Sequence, residues 1–193
     1  KANEVLTLLT EAEGLELSES ELLHQCIFML NAGHETSTNM LSHGLNELIN
    51  HKDQYKLLQK EPGRINTAID EILRFQPPIQ INNRRCLEKT KLGDVVVPEG
   101  TSVHIIIAAA NRDPLQFFKP ETFDILRSPN RHLSFGLGIH ICAGINLARV
   151  EAKVAFQSLM SSFREINLLK KPKVANVIRF REIKEMQIEI SPF

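Results

Sequence analysis

The stretch His132–Arg149, HLSFGLGIHICAGINLAR, decides how the chain is read. It places Cys142 in a loop punctuated by Gly136, Gly138 and Gly144, just ahead of a strong apolar helical pattern over 144–163. Phe135 stands seven residues before the cysteine and His140 two before it. A thiolate needs help to exist at neutral pH. Backbone N–H groups at a helix N-terminus supply part of that help, and a metal supplies much more. The glycines let the backbone fold tightly and donate hydrogen bonds to a sulfur, and Phe135 can lie over that sulfur and keep water away.

One thiolate in an apolar loop, with no second soft ligand nearby, suits a metal whose other positions are already filled. Haem iron, held by four porphyrin nitrogens, is such a metal. The rest of the composition leaves room for this reading. The 193 residues make one or at most two domains, and 42% hydrophobic with 24% charged residues describes an ordinary globular protein. Lys plus Arg and Asp plus Glu number 23 each, so there is no electrostatic footprint for nucleic acid. Apolar runs are too short for a membrane span, and no signal peptide pattern opens the chain. The cysteines Cys26, Cys86 and Cys142 are few, odd in number and far apart. That argues against a disulfide framework and for a reducing compartment, with the cytoplasm as the expected location. No CxxC or HExxH pattern points to zinc.

Working outward from the cysteine loop, the pattern is mainly α with small antiparallel β pieces. Residues 1–13 suit a short helix ended by Gly14. Ser18 with Glu21 makes a capping box, and a long helical pattern follows to about Asn50. Leu22, Cys26, Met29, Gly33, Thr36 and Met40 share one face, and Leu23, Ile27 and Leu30 form a second stripe. A helix apolar on two faces is expected to be central and buried. Helices are also expected over 52–60 and 64–75, the latter closed by Pro77 and Pro78. Strands are expected over 79–87, 94–97 and 101–108, with Pro98–Gly100 as a turn, and over 174–181 and 185–190. The polar, proline-bearing run from Ala109 to Phe135 reads as a long meander that something must hold down.

FGLGIHICAG, Phe135–Gly144, matches F-G-x-G-x-H-x-C-x-G and resembles the haem-ligand loop of bacterial cytochrome P-450 enzymes; Leu147–Arg149, LAR, fits as well. AGHETS, Ala32–Ser37, resembles that family's segment in the helix over the distal haem face. Its physical logic stands independently. Gly33 leaves space for a small ligand and weakens the helix, Thr36 can turn its hydroxyl out of the ladder, and Glu35 can relay protons, an acid–alcohol pair suited to protonating reacting dioxygen. EILR, Glu71–Arg74, resembles the E-x-x-R motif, whose spacing puts both charges on one helix face. Glu61 and Arg64 share that spacing, but Pro62 and Gly63 argue against a helix there. The family reading makes Glu71–Arg74 a buried pair pinning the meander. Where many members carry Arg in the motif at PETF, Pro120–Phe123, this chain has Thr122, so either Arg127 or His132 is left as the third charge.

The resemblance implies a C-terminal haem-binding part of the cytochrome P-450 fold over 1–193, with the N-terminal half absent. It implies haem b on Cys142, with Phe135, Gly136, Gly144 and Gly33 around it and His140 and Arg85 on the propionates. Thr36 and Glu35 would be catalytic. The activity implied is monooxygenation of a small organic substrate with electrons from a ferredoxin or flavodoxin-type donor and its reductase. A peroxide-driven haem-thiolate enzyme is an alternative that Glu35–Thr36 speaks against, and a non-catalytic haem-binding or interaction fragment is another. Apolar faces left open by truncation are expected to promote self-association.

Overall fold

A computed structural model of the chain describes residues 5–11 and 17–193. It divides into two compact units, Lys1–Thr36 and Ser37–Phe193. The first holds α1 (Val5–Glu11) and the opening of α2 (Glu19–Asn50). The expected stop at Gly14 lies outside the described residues. The capping box closes as the sequence predicts. Glu21 N–H donates to Ser18 Oγ at 3.3 Å, and Glu21 Oε2 accepts from Ser18 N–H at 2.8 Å. That contact lowers the pKa of the Glu21 carboxyl, because a backbone N–H bonds its charged form.

The expectation that all of α2 is buried fails in its first half. Leu23, Ile27 and Leu30 are 57%, 57% and 73% exposed. Apart from Leu22, burial in α2 is concentrated between Asn39 and Ile49, because the elements that pack on α2 gather there. These are α3 (Lys52–Lys60), α4 (Ile65–Phe75) and α6 (Ile145–Ser162), which share one core cluster with Met40, Leu45, Leu48 and Ile49. α3, α4 and α6 fall within a residue of their expected bounds, whereas a short helix, Ile107–Ala110, starts inside the strand expected over 101–108. The Glu61–Arg64 pair sits on a 3₁₀ turn, Pro62–Arg64, and its 3.1 Å contact is exposed.

Gly44 is what lets α2 approach α4 and α6. A Cβ placed there would lie 2.5 Å from Phe156 Cζ and 2.9 Å from Ile72 Cγ2, both on fully buried side chains. Gly44→Ala should therefore lower stability by up to about 2 kcal/mol. Overpacking costs about 1–3 kcal/mol, and the roughly 1 kcal/mol gained in helix propensity offsets only part of it. Urea unfolding checks this, and a stabilised Gly44→Ala would show that the helices can part freely.

Four two-stranded antiparallel ladders complete the fold. β1 (Ile81–Arg85) pairs with β4 (Ser102–Ile106), and β2 (Thr90–Leu92) with β3 (Val95–Val97). α5 (Ile107–Ala110) follows β4. β5 (Phe163–Leu168) pairs with β8 (Ile188–Pro192), and β6 (Lys173–Val174) with β7 (Ile183–Glu185). The strand expected over 174–181 is thus only its first residue. The carbonyls beyond it are used elsewhere: Arg179 O accepts from Gln80 N–H at 2.9 Å, and Arg181 O meets His43 Nε2 of α2. Burial lowers the pKa of His43, disfavouring the charged ring. β2 and β5 fall outside the strands the sequence predicts. Among the described residues no helix is long and apolar enough to cross a membrane.

Candidate functional site

The support of the site is built on α4. Glu71 and Arg74 lie one turn apart and are both fully buried, joined by Arg74 Nε to Glu71 Oε2 at 2.7 Å and Nη2 to Oε1 at 2.8 Å. The third charge is Arg127, whose Nε donates to Glu71 Oε2 at 3.0 Å. His132 goes elsewhere, to Asp70. Asp124 N–H and Asn130 Nδ2 also donate to the Glu71 carboxylate, at 2.9 and 3.1 Å. Arg74 in turn donates to Asn111 O, Pro120 O and Thr122 O at 2.9, 2.8 and 3.1 Å. Every oxygen and guanidinium face is used, which is the condition under which buried charge is tolerated. The meander is held down by this network, so Thr122 contributes its carbonyl where a side-chain charge was looked for.

Asn111, within the meander, carries the support forward. It is fully buried; its Oδ1 accepts from Leu133 N–H at 2.8 Å and its Nδ2 donates to Ser134 Oγ at 2.9 Å. Ser134 Oγ donates to Leu73 O of α4 at 2.7 Å. The residues entering the cysteine loop are therefore fixed to the helix that holds the meander. The sequence carries no signal for this beyond the Asn111 type, because the bonds join positions more than twenty residues apart.

The loop itself closes on its own backbone. Gly136 N–H donates to Leu133 O at 2.9 Å and Cys142 N–H to Phe135 O at 2.8 Å. Gly136 and Gly138 have φ of +73° and +72°, which side chains other than glycine rarely adopt. A Cβ on Gly136 would also press to 3.2 Å from His140 O. A 3₁₀ turn, Gly138–His140, leads to Cys142, and Gly144 is the N-cap of α6. Cys142 is part-exposed, and its Sγ has no hydrogen-bond partner among the described residues. Leu137, Ile139 and Ile141 beside it are exposed apolar side chains.

This donor set fits haem. Among the described residues no three His, Cys, Asp or Glu side chains gather where a metal ion could sit, so a metal on Cys142 must bring its remaining ligands with it. Phe135, Gly136, His140, Cys142 and Gly144 are brought together in this loop. Arg85 is exposed at the end of β1, opposite Ser102. Gly33, Glu35 and Thr36 are on α2, in the first unit. The helix runs unbroken through them. Thr36 Oγ1 donates back to Ala32 O at 2.6 Å, Glu35 is exposed, and a Cβ on Gly33 would meet nothing within 4 Å.

Comparison with known proteins agrees with this geometry. The cytochrome P-450 family model matches residues 2–176. The biotin biosynthesis cytochrome P-450 of Bacillus subtilis (strain 168) is 41% identical over 161 residues, covering 83% of this chain and 41% of that protein. A steroid C26-monooxygenase of Rhodococcus jostii (strain RHA1) is 37% identical over 191 residues, covering 97% of this chain and 40% of that one. Among solved structures, P-450 BioI in complex with an acyl carrier protein ligated to hexadec-9Z-enoic acid superposes with TM-score 0.93 at 35% identity, covering 98% of this chain and 49% of that one. The tirandamycin C-bound P-450 monooxygenase TamI gives 0.94 at 32%, with 98% and 49% covered. The chain spans about half the length of the relatives it matches. A mainly helical chain in which the Ala32–Ser37 segment, the buried Glu71–Arg74 pair and the cysteine loop follow in that order, and which the family model matches over nearly its whole length, belongs to the cytochrome P-450 family.

Proposed function

We propose that this chain is the haem-binding portion of a haem-thiolate monooxygenase acting on a small organic substrate. The observation that carries the reading is the loop around Cys142: a part-exposed, unpartnered sulfur ahead of α6, on a backbone that two positive-φ glycines and the Phe135 O to Cys142 N–H bond hold in one shape. Bound haem b would supply the one-electron and dioxygen chemistry. The chain's own residues do the rest. Cys142 provides the sulfur. His140 and Arg85, both exposed cations or potential cations, hold the propionates. Thr36 and Glu35 hold and pass protons on the distal helix, the threonine hydroxyl already turned onto Ala32 O. Electrons come from a ferredoxin or flavodoxin-type donor with its reductase, in the cytoplasm.

A second reading, a haem-binding fragment without turnover of its own, is favoured for the isolated chain by the exposed apolar residues of α2 and α6, such as Leu30, Leu147 and Val154. One spectrum tests what both readings share. The chain titrated with haem b, reduced and exposed to CO should give the red-shifted Soret band of thiolate-ligated haem. A band at the position of thiol- or imidazole-ligated haem overturns both. Turnover with an electron donor then separates the monooxygenase from the fragment.

A further inference from the structure

The two residues that bound the stretch His132–Arg149 meet on one oxygen. Asp70 Oδ1, on α4, lies 2.8 Å from Arg149 Nη2 and 3.5 Å from His132 Nε2. His132 Nδ1 accepts the Ser134 N–H at 3.3 Å, so in the neutral ring the proton sits on Nε2 and faces the carboxylate. The His132 side chain is only 4% exposed. Between these two arms stands Phe135. Its ring centroid is 5.9 Å from that of His132, and Arg149 Cζ lies 5.6 Å from it. Phe135 O is the acceptor for Cys142 N–H. Arg149 Nε is buried with no partner, so this guanidinium is held by its outer nitrogen and by the ring face.

We infer that Asp70 is a positioning residue for the Cys142 loop: it clasps the two ends of the loop together through His132 and Arg149, and so fixes Phe135 and the backbone that carries the sulfur. The role rests on the reading of Cys142 as a haem ligand proposed above. Asp70 touches neither the sulfur nor the loop interior. Glu71 next to it serves the meander, while Asp70 serves the loop, so two adjacent carboxylates of α4 divide the support between them.

The test uses thiol reactivity in the full chain, with the other two cysteines as internal references. Cys26, Cys86 and Cys142 are all part-exposed, so each reports on its own surroundings. Asp70→Asn should raise the iodoacetamide rate at Cys142 about fivefold relative to Cys26 and Cys86, as expected for the loss of one partly buried ion-pair contact. In the haem-loaded, CO-treated protein the same variant should move intensity from the thiolate band to the thiol band. Arg149→Gln should reproduce both effects, and Arg149→Lys, which keeps the cation, should stay within about twofold of the unsubstituted chain. An unchanged Cys142 rate in Asp70→Asn, or an equal rise at all three thiols, overturns the clasp. If the unsubstituted chain gives no thiolate band while Cys142 still responds selectively to Asp70→Asn, the haem reading fails and the clasp stands.

Discussion

Glu71→Leu should destabilise the chain by about 3–5 kcal/mol, a fall in Tm of roughly 10 °C for a chain of this size. Arg74 is fully buried and the Arg127 side chain is 9% exposed, and Glu71 is the carboxylate both of them contact. Removing it leaves two cations in a low-dielectric interior, and the cost is their uncompensated charge more than the lost attraction. The usual escape, replacing a whole buried pair by apolar residues, is closed here. Arg74 also serves the carbonyls of Asn111, Pro120 and Thr122, so Glu71→Leu with Arg74→Leu would leave the Asn111 and Pro120 carbonyls without this donor and Thr122 O with Arg127 alone. The double variant should therefore be no more stable than Glu71→Leu. Thermal unfolding followed by circular dichroism measures both. A double variant that recovers the original Tm would show that the carbonyls find other donors.

That network also marks where the sequence is legible. The three-residue spacing of Glu71 and Arg74 predicts a shared helix face, and the capping box at Ser18 predicts a helix start, because both are local. Which of Arg127 and His132 completes the charge group is a question about two segments meeting, and spacing cannot decide it. The same holds for Gly44, whose sequence neighbours give no hint that Phe156 and Ile72 close on it. Gly33 attracts notice in the sequence, yet it has open space around the missing Cβ, while Gly44 is the glycine under pressure. The cysteine loop is the opposite case. Its glycines, its closing bond and the helix after it lie within one short stretch, so the chemistry is written almost contiguously.

The strands show the same division. β5 continues directly from α6, and FREINL has no punctuation to mark the change. Its strand character comes from β8, some twenty residues later, with Ile166 opposite Ile190. In 174–181 the pattern suits a strand, but the carbonyls of Arg179 and Arg181 are taken by Gln80 and His43. Tertiary partners outbid the local preference there. The sequence predicts the extent of α2 and not its burial for the same reason: periodicity fixes which residues share a face, and only neighbours decide whether that face is covered.

The largest spectroscopic effect should come from one cysteine of the three. Cys142→Ser should abolish the red-shifted CO band entirely, while Cys26→Ser and Cys86→Ser leave it unchanged. Serine keeps the size and the backbone shape of the loop, including the bond to Phe135 O, but a hydroxyl does not ionise near neutral pH as a thiol can, so the electron-rich axial donor is lost. Cys86 Sγ is 2.9 Å from Glu88 O, placed to donate to it. Cys26 lies on the α2 face with Leu22 and Met29, with no glycine turn to bring amides to it. The three variants share one readout and differ in one position, so the assignment does not depend on turnover. Retention of the full thiolate band in Cys142→Ser, or its loss in Cys86→Ser, would move the ligand off the loop and remove the basis for reading Phe135, Asp70 and the glycines as its support.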